Sequence, residues 1–192
     1  DLEFYALTNS EIIEKIEELD GWSGMFVMAA GNTRVVRRTA ALMEQNQNSY
    51  GANFTFGEYG LHKTKKLARR ASYGLILGFL IIASPLKSIV RRFLPKPGEG
   101  PSEKVQNNGW FRSTFIAEAE DGEKKICSLY GSGDPGYKST SKLVCESALT
   151  LAKSNNLPGG ENYGGVLTSA VGLGNELISR LKNADIEFKT LT

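Results

Sequence analysis

The run Trp110-Phe111-Arg112-Ser113-Thr114-Phe115-Ile116-Ala117-Glu118 leads into Glu120-Asp121-Gly122-Glu123 and returns through Lys124 to Tyr130. Aromatic and β-branched residues suit a pleated, half-buried surface. Asp-Gly supplies the positive φ of a tight hairpin turn. The reading is a strand over 110–118, with Phe111, Phe115, Ala117 and Ala119 on one face, and a return strand over 124–130. Lys124, Lys125 and Ser128 give the return strand a solvated side, unlike the continuous apolar run of a parallel strand buried on both faces. A helix is expected from about Thr140 to Ser154, carrying Val144, Ala148, Leu151 and Ala152 at helical spacing. The fold class is therefore α+β, with a mixed or antiparallel sheet and flanking helices.

Downstream, a Gly-rich loop covers Pro158 to Gly165, Leu173, Leu177, Ile178 and Leu181 mark a last helix, and Ile186 and Phe188 alternate with polar residues in a final strand. Upstream, Thr8-Asn9-Ser10-Glu11 has the spacing of a capping box. It predicts a helix to about Leu19, with Ile12, Ile13, Ile16 and Leu19 on one stripe, stopped by Asp20-Gly21. Trp22 to Ala29 is apolar enough for a buried strand. Gly31-Asn32-Thr33 reads as a turn and N-cap for a helix from Arg34 to about Gln45. Tyr50, Ala52, Phe54 and Phe56 alternate with Gly51, Asn53, Thr55 and Gly57, a period of two that predicts a strand with an aromatic face.

A chain of 192 residues with 41% hydrophobic and 23% charged content is that of a globular protein. Its net charge of +2 hides an uneven distribution. Lys63, Lys65, Lys66, Arg69, Arg70, Lys87, Arg91, Arg92 and Lys96 fall between Gly60 and Gly98, a stretch with no acidic residue. Between these cations runs an uncharged block, Ala71 to Leu86, containing Leu75, Ile76, Leu77, Phe79, Leu80, Ile81 and Ile82. As a helix it spans roughly 24 Å, short of the ~30 Å of a bilayer core. That leaves a buried core helix or a short helix lying on a membrane, with its cations at anionic headgroups. The second is preferred, and the seven apolar residues just named are the candidate membrane contacts. The charges flank the block instead of interleaving with stacking aromatics, so no nucleic-acid partner is expected. Pro95-Lys96-Pro97-Gly98-Glu99-Gly100-Pro101 is a stiff linker and the candidate boundary between regions 1–97 and 98–192.

Gly131-Ser132-Gly133-Asp134-Pro135-Gly136 matches the glycine spacing of dinucleotide-binding loops. The preceding strand is not of the buried parallel kind, and no strand ending in Asp or Glu follows about twenty residues on. The segment reads better as a hairpin exit turning into a helix. A Gly-rich loop also lets a ligand approach the backbone closely. Gly133, Asp134, Pro135, Gly136, Tyr137 and Thr140 are thus candidate substrate contacts, with helix capping by Asp134 and packing by Tyr137 as the alternative roles. Gly164, Gly165 and Thr168 are open to the same two readings. The single histidine, His62, lies among lysines and reads as an exposed bystander. Cys127 and Cys145 lie in no metal-binding pattern and are expected to be buried free thiols in a reducing compartment. No metal site and no catalytic set are legible. Asp1-Leu2-Glu3 is acidic where a secretory signal is basic, so an intracellular location is expected.

In order and spacing, several segments are similar to the C-terminal region of saccharopine dehydrogenase-like oxidoreductases, including the trans-acting enoyl reductases. They are Gly98-Glu99-Gly100-Pro101-Ser102, Gly109-Trp110-Phe111, Gly133-Asp134-Pro135-Gly136-Tyr137 with Thr140, Glu146-Ser147-Ala148, Gly164-Gly165-Val166-Leu167-Thr168 and Ile186-Glu187-Phe188. Val35-Val36-Arg37-Arg38-Thr39 and the apolar run resemble the family more weakly. The resemblance implies an upstream Rossmann domain that binds NAD(P), with no cofactor held by this chain itself. It also implies a mixed sheet that helps shape a substrate pocket, and association with a membrane or lipid-droplet surface. The expected partners are that surface and an upstream Rossmann domain or another protein subunit. The expected function is the substrate-side or structural part of such an oxidoreductase; the alternative is a non-catalytic, membrane-associated accessory subunit derived from it.

Overall fold

The computed structural model describes residues 2–7, 13–96, 98–160 and 163–191. Seven strands form one mixed sheet in the order β2-β3-β4-β1-β5-β6-β7. They are β1 (Leu2–Leu7), β2 (Lys15–Ile16), β3 (Gly21–Gly24), β4 (Gly57–His62), β5 (Trp110–Glu118), β6 (Lys124–Ser132) and β7 (Ile186–Thr190). The pair β1–β5 is parallel, and the other five pairs are antiparallel. The helices are α1 (Ala29–Gln45), α2 (Lys65–Ala83), α3 (Lys87–Val90), α4 (Glu103–Asn108), α5 (Lys138–Lys153) and α6 (Ser169–Asn183). The sheet continues across the Pro95–Pro101 linker, because β1 pairs with β4 on one side and β5 on the other.

The central hairpin forms with β5 over the expected residues and β6 running two residues further, to Ser132. Gly122 takes φ 85° and its N–H donates to Ala119 O, while Ala119 N–H donates to Glu123 O. Phe111, Phe115 and Ala117 share one face of β5, as expected, but their burial is uneven. Directly opposed residues in a ladder point to the same side, and the register sorts the sheet into two faces. Phe111 is buried with Leu181 and Ile186 on one face, packed by Leu129, Leu143, Leu177 and Phe188. Ile116 is buried with Ile16 on the other, packed by Leu19, Tyr59, Leu61 and Ile126. Phe115 shares the Phe111 side but is 45% exposed. The long helices α1, α2, α5 and α6 all lie on the Phe111 side.

Among the described residues the expected N-terminal helix is not found. The capping box lies outside the described residues; from Lys15 the chain instead pairs as β2 with β3 and makes one 3-10 turn, Glu17–Leu19. Asp20 turns it with φ 44°. Ile16 and Leu19 still reach the core, but from a strand and a turn. The strand expected over 22–29 stops at Gly24, where Met25 N–H donates to Ser72 Oγ of α2 at 2.9 Å. Helix α1 then starts at Ala29, so Gly31-Asn32-Thr33 lies inside it. Residues 50–56 form no strand. Gly51 takes φ 104° and Tyr50 folds onto Phe54, with ring centroids 5.0 Å apart. Pairing begins only at Gly57.

Helix α5 presents its expected apolar stripe outward, with Val144 62% and Leu151 65% exposed. Small and polar residues pack inward instead, Ser139 and Thr150 being buried. Arg180 of α6 meets Glu146 at 2.8 Å and Glu176 accepts from Ser154 Oγ at 3.0 Å, which fixes the pair. Cys127 and Cys145 are both exposed, contrary to the buried-thiol reading.

Candidate functional site

The sheet face opposite the four long helices is only partly covered. Residues around Ile16–Leu19 close one end, and Lys124 clamps Glu18 there at 2.6 Å. The rest forms an open concavity of about 540 Å³, lined by Leu19, Leu61, Arg112, Thr114, Ser128, Tyr130, Glu187, Lys189 and Leu191. Alternation on β5, β6 and β7 produces this lining, since Arg112 opposes Tyr130, Tyr130 opposes Glu187 and Ser128 opposes Lys189. The Arg112 guanidinium lies 5.6 Å from the centre of the Tyr130 ring, and the centre of the Trp110 ring is 6.1 Å from it. Lys189 is neutralised by Glu187 at 2.7 Å. The face offers hydroxyls and paired charges, a surface that can hydrogen-bond a polar ligand or a neighbouring domain. Sequence reasoning missed it because no motif marks it; the polar residues of three separated strands meet only through the register.

The loop expected to touch substrate is closed upon itself. Asp134 is buried and caps α5, accepting from Tyr137 N–H at 2.9 Å and Lys138 N–H at 3.2 Å. Gly133 N–H donates to Gly109 O and Asp134 N–H to Gln106 O. A Cβ on Gly109 would lie 2.6 Å from Asp134 Cα, which explains the glycine before Trp110. Thr140 Oγ1 donates to Pro135 O at 2.6 Å. Gly133, Asp134, Pro135, Gly136 and Thr140 are thus brought together at the start of α5. Tyr137 stands 55% exposed beside Gly100 of the linker. Gly131 and Ser132 belong to an antiparallel strand, and the N–H groups of Gly133 and Asp134 are spent inside the fold. The segment therefore does not fit a pyrophosphate cradle, which needs such groups free. Thr168 hydrogen-bonds Thr39 of α1 at 2.7 Å, and nothing lies within contact of a Cβ built on Gly164 or Gly165.

Two titratable groups sit under the helices. His62, expected to be exposed, is half-buried, and its Nε2 is sealed from water with no hydrogen-bond partner. It abuts Gly24 and Gly60, and burial pushes its pKa below the usual imidazole value. Glu58, two residues from Gly60 on the same face, receives the Asn32 amide on both oxygens at 3.0 and 2.8 Å. Burial raises its pKa, partly offset by the Asn32 bond. Such a carboxyl can hold a proton. Nothing in the sequence around Glu58 announced it. Among the described residues no group of three or more His, Cys, Asp or Glu could hold a metal ion.

The basic–apolar–basic stretch folds as α2 and α3. Thr64 caps α2 by accepting from Leu67 N–H, and Ala68 and Ser72 dock its first turns. From Tyr73 onward no residue of α2 is buried. Ile76, Leu77, Phe79, Leu80 and Ile82 are exposed, while Leu75 and Ile81 are half-buried. No helix among the described residues is long and apolar enough to cross a membrane.

In sequence, the chain is similar to proteins named trans-acting enoyl reductases. A Mycobacterium tuberculosis protein provisionally named a trans-acting enoyl reductase is 33% identical over 184 residues, which is 90% of this chain and 42% of that protein. Proteins named trans-acting enoyl reductase from Mycobacterium bovis and Mycobacterium leprae are 32% and 34% identical over 182 residues, with the same coverage of each chain. The chain thus spans less than half the length of these relatives. No protein-family profile and no solved structure matches it.

Proposed function

We propose that this chain is the substrate-side and structural part of a saccharopine dehydrogenase-like, NAD(P)-dependent oxidoreductase that reduces an enoyl substrate, and that α2 and α3 lay it on a membrane or lipid-droplet surface. The homology across 90% of the chain supports the oxidoreductase part of this reading. The open sheet face supports the substrate-side role, because it presents hydroxyls and paired charges towards a substrate or a second domain. The chain's own glycine-rich loop does not fit the dinucleotide, so the cofactor is expected on an upstream Rossmann domain or a partner subunit, and no step of hydride transfer is drawn from these residues.

The surface assignment rests on α2. Among the described residues none of its flanking cations forms an ion pair, and five large apolar side chains stand bare between them. Each cation near an anionic surface contributes about 1 kcal/mol. Flotation with phosphatidylserine-containing vesicles is the direct check. Leu80→Asp, at a 62% exposed position, is expected to leave the far-ultraviolet spectrum unchanged and abolish flotation. A chain that unfolds with Leu80→Asp, or never floats, contradicts the surface role. For the oxidoreductase part, the intact protein from its native source should oxidise NADPH with an enoyl thioester. No oxidation would favour the accessory-subunit reading, which the closed loop and the partnerless His62 already suit.

A further inference from the structure

We infer that the helical side of the sheet carries a binding groove for a long acyl chain, running between α1 with its following loop and α6. The inference rests on the enoyl-substrate reading above and locates the hydrocarbon part of that substrate. A cavity of about 910 Å³ lies between these elements, floored by Leu129 and Phe188 and walled by Met43, Val171, Leu177 and Leu181. A second, of about 650 Å³, lies over the hairpin end against Phe54, Phe56 and Phe115. Tyr50 lines both and so stands where the two adjoin. Each alone falls within the roughly 300–1,000 Å³ of small-molecule sites. Phe115 makes the vacancy plain. It stands in the middle of the sheet on the helix-covered face, yet remains 45% exposed.

The lining selects the occupant. Charge occurs only at the hairpin end, at Glu118, Glu123 and Lys125. At the other end the polar groups are neutral, with the Asn46 amide donating to Tyr163 Oη at 2.8 Å and Asn48, Ser169 and Asn175 beside it. The stretch between is hydrocarbon. A charged metabolite would lose its hydration there without repayment. An extended polypeptide would bring unpaired N–H and C=O groups into the same apolar stretch. An acyl chain brings neither, and its carbonyl end can meet the asparagines. Gly174, with φ 50° and ψ −136°, bends α6 at the rim. A Cβ there would lie 2.7 Å from Pro158 Cγ, so the glycine lets Pro158 pack against α6 at the rim.

The test is titration of the chain with cis-parinaric acid, whose polyene fluoresces on entering a dry apolar site. Saturable one-site binding is expected, displaced by palmitate but not by hexanoate. Ile178→Trp, which fills the groove from a partly exposed position, should weaken binding by about tenfold or more. Leu80→Asp on α2 should leave binding unchanged. No saturable uptake, or uptake lost with Leu80→Asp and kept with Ile178→Trp, overturns the groove. The readout needs no cofactor, so absence of NADPH oxidation by the intact protein would sink the oxidoreductase reading without touching this result.

Discussion

The Nε2 atom of His62 faces the Gly24 and Gly60 backbones, where no donor or acceptor reaches it. A buried nitrogen without a partner disfavours the charged imidazolium, so the folded-state pKa falls below the ordinary 6.5. Between those two values the unfolded chain binds more protons. The stability contributed is complete above pH 6.5 and is lost as pH falls through the folded value. Glu58 acts with the opposite sign. Its raised pKa gives stability present below its ordinary 4.5 and lost as pH rises through the folded value. The two overlap in mildly acidic solution, so a variant must separate them. His62→Phe keeps a ring and removes the titration, and its urea midpoint should gain on the parent's as pH drops from neutral towards 5. A constant difference between the two across that range would show that His62 does not titrate in this environment. Sequence proximity to lysines concealed this behaviour. Lys63, Lys65 and Lys66 lead into and begin α2, whereas His62 ends β4 with its side chain under that helix.

At the scale of elements, legibility followed how local the determining physics is. The β5–β6 hairpin, β7 and the downstream ends of α1 and α5 were readable, because turn chemistry and strong alternation act within a few residues. The Tyr50–Phe56 alternation misled, since a period of two makes a strand only where a partner edge is free, and β4 pairs with β1 from Gly57 instead. The α5 stripe misled about orientation, because Glu146–Arg180 and the buried Thr150 turn its polar side inward. The open sheet face was illegible because no segment of the chain contains it. Helix α6 offers a direct check on local conformation. Gly174→Ala places a side chain at positive φ against Pro158 and should cost about 1–3 kcal/mol in unfolding free energy. Gly172→Ala, two residues earlier, meets only ordinary contact at 3.5 Å from Leu167 and should stabilise by up to about 1 kcal/mol. Both can be read from urea midpoints at constant m. Equal effects of the same sign would mean that the bend at Gly174 is not a fixed feature of the helix.

For the molecule as a whole, the linker suggests two units while the sheet binds them into one. Backbone ladders run from β4 through β1 to β5, so the regions before and after Pro95–Pro101 share consecutive strands of the same sheet. Breaking either region would leave β1 with an open edge and expose the Ile16–Ile116 cluster, whose two buried members come from opposite sides of the linker. Cooperative unfolding as a single transition is the expected consequence. The chain carries one tryptophan on each side, Trp22 on β3 and Trp110 at the start of β5. Trp22→Phe leaves a reporter of the second region, and Trp110→Phe a reporter of the first. Each variant's urea curve, followed by its remaining tryptophan and by far-ultraviolet circular dichroism, should give one midpoint by both probes. Two separated midpoints, with the tryptophan signal preceding or lagging the helical signal, would show instead that the linker divides units that fold apart, and that the shared core between Ile16 and Ile116 adds little to holding them together.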